Sequence, residues 1–416
     1  MEELYYLQNP WWENREFKKG VERKNLLDSL KNQVSTNRIC MLLGGRRVGK
    51  TTLMYQYIAD LIATGVHPTS ICYLLLDTRA FEGISITELL RNYRQIHNLS
   101  IEQTIYLFLD EVQYKEKWEQ EIKNIYDTER NVTVVLSGSA GFKIHVKTSF
   151  LTGRYRILKI VPLNFGEWLE FNQVSVFKVE QYKYVNLLEE YLLNGGYPEY
   201  ILTKDPQYFS NLVDSIVFKD FFEYFNLKNL ELVKDLFGLI ADRNGSHSSL
   251  TRLANVLGVS KETVRDYLGA LKGCFSIYEL PRYAYSRNEQ IYFPKKYYVN
   301  DNGMLFNLTG KFNKGQAVER TVYDRLRQLY PEESIFFYYN SAKQFEADFI
   351  VDSDSQRTLV ESKFIRTIAE FNPKQLLKVL KEIKTDRVLI VTESLETITK
   401  HEGHVIEFVP LWKFLL

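Results

Sequence analysis

Two short stretches of the sequence carry the residue types needed to bind and hydrolyse a nucleotide. The first is the glycine-rich run at residues 44–52, which follows an apolar segment and has the spacing G-x4-G-K-T. Such a loop turns backbone N–H groups toward a phosphate, and the following helix adds its partial positive charge. Lys50 would reach the β and γ phosphates, and the Thr51 hydroxyl would bind Mg²⁺. The run predicts an ATP site formed by Gly44, Gly45, Arg46, Arg47, Val48, Gly49, Lys50, Thr51 and Thr52.

The second stretch is an apolar run that ends in two adjacent acids, Asp110 and Glu111. At the end of a strand, Asp110 would hold the metal through its water shell, and Glu111 would polarise the attacking water. An acid in a solvated loop is the alternative for Glu111. Together the two stretches predict an ATPase.

Two further positions could complete this site. Ser137 ends another β-rich run and could hydrogen-bond the lytic water or the γ phosphate, although a simple strand exit would look the same. Arg154 lies in a loop before the fifth run, and an arginine beside the γ phosphate, in the same or a neighbouring subunit, stabilises transition-state charge. A structural salt bridge is the alternative for Arg154, and Arg156 competes for the role.

The C-terminal region contains a second set of candidate catalytic residues. Asp348 and Glu361 lie on consecutive predicted strands, with Glu319 on the preceding helix. Period-two alternation places Glu361 and Lys363 on one face of their strand, where a carboxylate and an ammonium can share a metal-bound water. The pattern predicts Asp348, Glu361 and Glu319 as Mg²⁺ or Mn²⁺ ligands beside Lys363. A cross-strand salt-bridge cluster, or a core that binds DNA without cutting it, would leave the same pattern.

The order of elements predicts an α/β chain with several domains. Apolar runs at 38–43, 71–76, 104–109, 132–136 and 156–161 alternate with helical patterns, which indicates a parallel sheet covered by helices. We predict five regions, namely an N-terminal adaptor at 1–36, an ATPase core at 37–165, a helical lid at 166–240, a winged helix at 241–310 and a small α/β core at 311–416, with helix, three strands, helix and strand from about 315.

Residues 250–268 read as two short helices joined by a turn at Gly258, with Ser260 as the N-cap of the second helix. Strand-like runs at 274–281 and 290–299 are spaced as the wing of a winged helix. The second helix would pack Val264, Leu268 and Leu271 inward. Its cations Lys261, Arg265 and Lys272 could contact DNA phosphates or base edges. Lys295 and Lys296 lie just past the wing. A protein-interaction or oligomerisation module is the alternative.

Composition is that of a globular protein, with 416 residues, 45% hydrophobic and 25% charged. Since the net charge is only +1, a nucleic acid would have to be held by local basic patches. Three scattered cysteines, an acidic N-terminus and the lack of a run of about 18 apolar residues favour a cytoplasmic protein without a membrane span.

The combination of motifs resembles the AAA+ ATPases of bacteria and archaea that carry a C-terminal domain of unknown function. The resemblance rests on Asn-Pro-Trp-Trp at the start, the glycine-rich run, Leu-Asp-Glu-Val-Gln, Ser-Gly-Ser, Thr-Gly-Arg, Pro162-Leu163 and Gly195-Gly196-Tyr197-Pro198. It implies that the strand ending in Ser137 lies between the other two strands of the site, and that the active form is a homo-oligomer such as a hexamer. The C-terminal residues are similar to the PD-(D/E)xK nuclease fold, with Ala347 where proline is usual.

The expected function is Mg²⁺-dependent ATP hydrolysis coupled to binding or remodelling of DNA, including branched or junction DNA. The alternative is a nucleotide-switched signalling or defence ATPase, in which the C-terminal domains bind a protein partner or act as a regulated nuclease. The two differ in turnover, because DNA should stimulate hydrolysis only in the first.

Overall fold

The computed structural model describes residues 1–36, 39–139, 151–224, 229–354 and 356–416. They form two compact units, the first comprising mainly residues 1–161 and the second most of residues 162–416. Within the described residues, no helix combines the length and apolarity needed to cross a membrane.

The first unit is built on a five-stranded parallel sheet in the order β2-β3-β4-β1-β5. Its strands are β1 Ile39–Leu43, β2 Ile71–Leu75, β3 Ile105–Asp110, β4 Val132–Gly138 and β5 Tyr155–Lys159. Helices cover the sheet, and they are α1 Glu2–Gln8, α2 Lys24–Val34, α3 Lys50–Ala63, α4 Ile86–Ile96 and α5 Trp118–Thr128. Strands β1 to β4 are buried on both faces and read as continuous apolar runs, which is why they were predictable. The edge strand β5 is partly exposed. The strand that ends in the serine motif lies between the other two strands of the site, as the resemblance implied.

The N-terminal segment is attached to the free edge of β2. The Asn9 side chain accepts a hydrogen bond from the Tyr73 backbone N–H at 2.7 Å and donates to the Tyr73 carbonyl at 2.9 Å. Trp12 donates its indole N–H to the Ile71 carbonyl at 2.8 Å. The amide of Asn9 therefore satisfies backbone groups that a sixth strand would otherwise pair.

The second unit begins with a layer of helices. Its helices are α6 Phe165–Phe171, α7 Lys183–Asn194, α8 Pro198–Thr203, α9 Tyr208–Ser215, α10 Leu230–Asp242, α11 Leu250–Leu257, α12 Lys261–Gly273, α13 Arg287–Tyr292, α14 Asn302–Thr309, α15 Lys314–Leu329, α16 Lys374–Leu380 and α17 Leu411–Leu415, with a π-helical segment at Ile216–Tyr224. The described residues between 166 and 240 are mainly helical, as expected, and the role of this region as a lid stays a prediction.

The glycine turn between α7 and α8 encloses a buried carboxylate. Gly195 has φ +72°, and a Cβ at this position would lie 2.1 Å from Asp301 Oδ1. Gly196 donates its N–H to Asp301 Oδ2 at 2.7 Å and accepts from Leu163 N–H at 2.7 Å. Both glycines are required because Asp301 and Leu163 approach their backbone too closely to leave room for a side chain. The Gly-Gly pair thereby connects the Pro162-Leu163 motif to Asp301, which precedes α14.

Helices α11 and α12 form the predicted helix-turn-helix. Gly258 adopts φ +65° between them, and Ser260 Oγ accepts a hydrogen bond from Thr263 N–H at 3.1 Å. A three-stranded sheet in the order β6-β8-β7 lies beside them, made of β6 His247–Ser248, β7 Ile277–Leu280 and β8 Lys295–Val299. The prediction of a strand from residue 290 was wrong, because α13 occupies this segment. Pro294 holds the preceding residue in an extended conformation, so the strand starts at Lys295.

The C-terminal sheet has six strands in the order β13-β14-β12-β11-β10-β9. They are β9 Ile335–Asn340, β10 Phe345–Ser353, β11 Gln356–Lys363, β12 Arg387–Thr392, β13 Thr397–His401 and β14 His404–Pro410. Strands β9, β10 and β11 are antiparallel neighbours, and β12 is parallel to β11. The predicted order of helix, three strands, helix and strand is present, but the hairpin β13–β14 and helix α17 were missed. The hairpin turn places Glu402 and Gly403 at positive φ, and Glu-Gly is not a typical pair for such a turn.

Candidate nucleotide site

The glycine-rich loop joins β1 to α3 and is shaped by two glycines. Gly49 has φ +100° and lies immediately before the helix, so a side chain there would strain the backbone. At Gly44, a Cβ would lie 2.0 Å from the carbonyl oxygen of Ile160. Residues 44–49 form the loop, whereas Lys50, Thr51 and Thr52 form the first turn of α3. The backbone N–H groups of this turn would donate hydrogen bonds to a bound phosphate.

Lys50 lies inside the loop and is only 5% exposed. Its ammonium donates to the carbonyl oxygens of Gly44 at 3.0 Å and Gly45 at 2.8 Å. It also lies 4.0 Å from Glu111 Oε1. These contacts hold the positive charge at the mouth of the loop, where the β and γ phosphates of a nucleotide are expected.

Asp110 ends β3 and is completely buried, with three hydroxyl groups directed at its carboxylate. Thr51 Oγ1 donates to Asp110 Oδ2 at 2.5 Å, Tyr73 donates to the same oxygen at 2.8 Å, and Ser137 Oγ donates to Oδ1. Burial raises the pKa of Asp110, and the neighbouring charge of Glu111 adds to this, while the three hydrogen bonds oppose it. The adjacent hydroxyl and carboxylate oxygens of Thr51 and Asp110 fit the hard oxygen ligands that Mg²⁺ prefers.

Glu111 adopts a left-handed conformation with φ +56°. Its carboxylate accepts hydrogen bonds from Gln113 Nε2 and from Ser139 Oγ, the latter at 3.0 Å, while its N–H donates to Ser137 Oγ at 3.0 Å. Burial alone would raise the pKa of Glu111, but the charge of Lys50, the hydrogen bond from Gln113 and the charge of Arg46 together lower it. The residue is therefore ionised and oriented, as a general base must be.

Three residues of this site were not predicted from the sequence. Gln113 and Ser139 orient Glu111, and Tyr73 orients Asp110. The available signals were weak, since Gln113 lies two residues after Glu111 and Ser139 lies two residues after Ser137. Tyr73 lies in the middle of an apolar strand and carries no signal of its own.

Arg23 stabilises the loop from outside. Its guanidinium donates to the carbonyl oxygens of Val48 at 3.1 Å and Val161 at 3.0 Å. Gln56 on α3 donates to the carbonyl oxygens of Lys19 and Val21 at 2.9 and 2.8 Å. The segment predicted as an adaptor is thus part of the support of the glycine-rich loop.

The two candidate arginine fingers lie at the start of β5. Arg154 Nε and a terminal nitrogen contact the two carboxylate oxygens of Asp127 at 2.8 and 3.3 Å. Both side chains are about one-third exposed, at 34% and 32%. Arg156 is exposed on β5. Within one chain, Arg154 thus forms a salt bridge with Asp127, which is the structural role given above as the alternative to an arginine finger.

Residues 36–169 match a family described as AAA domain. The sheet order and the loop geometry agree with this match. The described residues of this range form an α/β P-loop domain. Two further matches, over residues 185–315 and 314–414, are to families each described as a domain of unknown function.

Relatives of the AAA domain and its C-terminal extension occur in distant organisms. An uncharacterised protein of Methanocaldococcus jannaschii is 29% identical over 400 residues, covering 91% of this chain and 88% of the relative. An uncharacterised protein of Haemophilus influenzae is 28% identical over 318 residues, covering 74% and 78%. Among solved structures, a Walker-type ATPase of Pyrococcus abyssi has a TM-score of 0.42 at 14% identity, covering 71% of this chain and 99% of that chain. AMPPCP-bound DnaA from Aquifex aeolicus has a TM-score of 0.31 at 16% identity, covering 63% and 90%.

Downstream of the AAA domain, the predicted nuclease-like residues lie on α15, β10 and β11. Lys363 Nζ is 2.7 Å from Glu361 Oε2, and Glu361 Oε1 accepts the Asp348 N–H at 3.3 Å. Asp348 Oδ2 accepts the N–H and the hydroxyl of Ser362, both at 2.8 Å. Burial raises the pKa of Glu361 to about 7, with a further contribution from the charge of Asp348. The predicted pairing of Glu361 with Lys363 on one strand face is confirmed.

Glu319 has other partners. Its Oε1 accepts hydrogen bonds from Lys296 Nζ at 2.9 Å and from the Tyr298 hydroxyl at 2.7 Å. Across the described ranges, no three His, Cys, Asp or Glu residues are arranged to hold a metal ion. The acids instead form ion pairs, Glu319 with Lys296 and Glu361 with Lys363.

The predicted DNA-contacting cations of α12 are partly confirmed in position. Lys261, Arg265 and Lys272 are exposed, and Val264, Leu268 and Leu271 are buried as expected. However, Lys272 and Lys295 both contact Glu279, at 2.8 and 3.0 Å. Lys295 and Lys296 are the first residues of β8, and Lys296 is buried, so its side chain is not available on the surface.

Proposed function

We propose that this chain is a Mg²⁺-dependent ATPase that acts as a homo-oligomer and couples ATP hydrolysis to the binding or remodelling of DNA. The observation that carries the ATPase proposal is the convergence of Lys50, Thr51, Asp110 and an ionised Glu111 at one edge of the parallel sheet. Parallel strands bring their carboxyl ends to the same edge, where α/β proteins bind ligands.

The chain's own residues divide the work of hydrolysis. Lys50 and the N–H groups of the loop bind the phosphates, and Mg²⁺ held by Thr51 and Asp110 would neutralise charge on the phosphate oxygens. Glu111 accepts a proton from the attacking water, for which its lowered pKa leaves it ionised at neutral pH. Ser137 couples the two acids, because it donates to Asp110 and accepts from the N–H of Glu111.

The proposal of DNA binding rests on the second unit. The winged helix that we propose is supported by the order α10, β6, α11, α12, β7 and β8, with β8 between β6 and β7. The exposed face of α12 carries Lys261 and Arg265, and the segment between β7 and β8 carries the strongly exposed aromatic side chains Tyr285 and Tyr292. Cations on a helix beside exposed aromatic rings suit contacts with phosphates and bases.

The experiment that tests the ATPase proposal is steady-state hydrolysis by the full chain. We expect Lys50→Ala to abolish nucleotide binding, while replacement of Lys18, an exposed lysine of the same compact unit, by alanine leaves it unchanged. Glu111→Gln should retain ATP but lower turnover by about 10²–10⁴, the usual contribution of a general base. Glu116→Gln is its exposed control. Normal turnover in Glu111→Gln would remove the assignment of the base.

The DNA proposal is tested by binding and ATPase assays with duplex, forked and four-way junction DNA. Lys261→Ala combined with Arg265→Ala should lower the slope of log K against log salt by about 2, since each phosphate contact contributes about 1. Lys400→Ala, an exposed lysine on β13, serves as the control. If no DNA binds at low salt and none stimulates turnover, the coupling proposal fails while the ATPase proposal stands.

A further inference from the structure

The most unusual charged residue of the second unit is Lys296 on β8, whose side chain is 1% exposed. Its Nζ lies 2.9 Å from Glu319 Oε1 and 2.5 Å from Glu346 Oε1. Lysine is almost never buried to this extent unless it is paired. The two glutamates belong to α15 and β10, so one ammonium joins three elements.

The carboxylates around Lys296 include those predicted to hold a metal. Besides Glu319 and Glu346, the charge of Asp348 acts on Lys296, and Asp348 in turn acts on Glu361. Burial alone would lower the pKa of Lys296, but the three negative charges outweigh it and raise the pKa. The ammonium is therefore charged at neutral pH.

The position of Lys296 explains how the small sheet is docked. Tyr298, also on β8, donates to Glu319, and His247 on β6 lies 3.9 Å from Glu346 Oε2 and stacks near Tyr339 on β9. The acids of the C-terminal core are thus partners of the sheet β6-β8-β7. A divalent cation bound to Glu319 would lie close to the Lys296 ammonium, which is 2.9 Å from the same carboxylate, and the two positive charges would repel each other strongly. The ammonium cannot move away without leaving buried carboxylates unpaired.

We propose that Lys296 is a built-in cation that takes the place of a divalent metal in the C-terminal core, so that this core acts without metal-dependent hydrolysis. Lys296, paired with Glu319 and Glu346, and Lys363, paired with Glu361, then neutralise part of the negative charge of this acidic cluster from within the chain. The proposal is independent of ATP hydrolysis, since it concerns residues of the second unit alone.

The test is Mn²⁺ binding by the nucleotide-free full chain, measured by calorimetry. Wild type and Asp348→Asn should give the same isotherm, because any binding at the glycine-rich loop is common to both proteins. A binding step that is present in wild type and lost in Asp348→Asn would overturn the proposal. This comparison leaves Lys296 in place and so does not depend on the folding of a variant that lacks it.

The second arm removes the ammonium. Lys296→Ala should gain one Mn²⁺ step at least tenfold tighter than any in wild type, and adding Asp348→Asn should abolish it. Lys295→Ala, the neighbouring lysine paired with Glu279, should gain none. Circular dichroism establishes that each variant is folded, and a folded Lys296→Ala protein without a new step would overturn the idea that Lys296 fills a cation position.

Discussion

Replacing Asn9 by alanine should destabilise the first unit through the edge of its sheet. Asn9 is fully buried, and its side chain makes one hydrogen bond to each backbone polar group of Tyr73. The substitution leaves a buried N–H and a buried C=O without these partners, at about 1–3 kcal/mol each. Since water can reach part of a sheet edge once the side chain is removed, we expect a total loss of about 3 kcal/mol.

For a unit of this size, a loss of about 3 kcal/mol lowers the midpoint of thermal unfolding by about 6–12 °C. Differential scanning calorimetry of the full chain should show this shift in one transition only, because the chain has two compact units. Hydrogen exchange supplies a local readout, in which the Tyr73 amide loses protection. Asn25→Ala, an exposed asparagine on α2, is the control and should change stability by less than about 0.5 kcal/mol. An unchanged midpoint with a protected Tyr73 amide would refute the reasoning.

Three further substitutions address the sites. Gln113→Leu removes a hydrogen bond that lowers the pKa of Glu111, so turnover should fall by about 10–100-fold and the acidic limb of the pH–rate profile should move to higher pH, with ATP affinity unchanged. Arg154→Ala should lower turnover by about 10³ if Arg154 acts on a neighbouring subunit, whereas Asp127→Ala should leave turnover unchanged; equal losses in both would indicate a structural ion pair. Because the fold raises the pKa of Glu361 to about 7, the folded state binds the proton more tightly than the unfolded chain. Stability should therefore fall between about pH 4.5 and pH 7, and Glu361→Gln, compared with wild type by urea unfolding at pH 5 and 7.5, should gain relative stability at the higher pH.

The nucleotide site was largely predictable because its residues are close in sequence and their spacing is tied to the phosphate. Gly44, Lys50 and Thr51 lie within eight positions, and the strand before Asp110 is marked by its apolar run. The orienting residues were not predictable, because Gln113 and Ser139 meet at Glu111 only after two strands have become neighbours in the sheet.

The C-terminal core shows the opposite case. Its local pattern correctly placed Glu361 beside Lys363. The partner of Glu319, however, is Lys296, which lies 23 residues away on a strand of another sheet. Nothing in the alternation of that strand distinguishes a buried Lys296 from its half-exposed neighbour Lys295. Burial of a charge is a property of tertiary packing, so a motif could suggest a metal for the acids but could not reveal Lys296 as the partner of Glu319.

Asn9, whose side chain pairs with the edge of β2, also bears on how the protein avoids uncontrolled self-association. An open parallel sheet has two outer strands whose unpaired backbone groups can recruit another chain. On β2 these groups are occupied by the N-terminal segment, and on β5 the exposed Arg156 and Lys159 place like charges along the other border. A truncated variant that lacks residues 1–13 would keep every predicted nucleotide-binding residue but would expose the edge of β2. We expect it to aggregate through strand-to-strand pairing, which light scattering would detect.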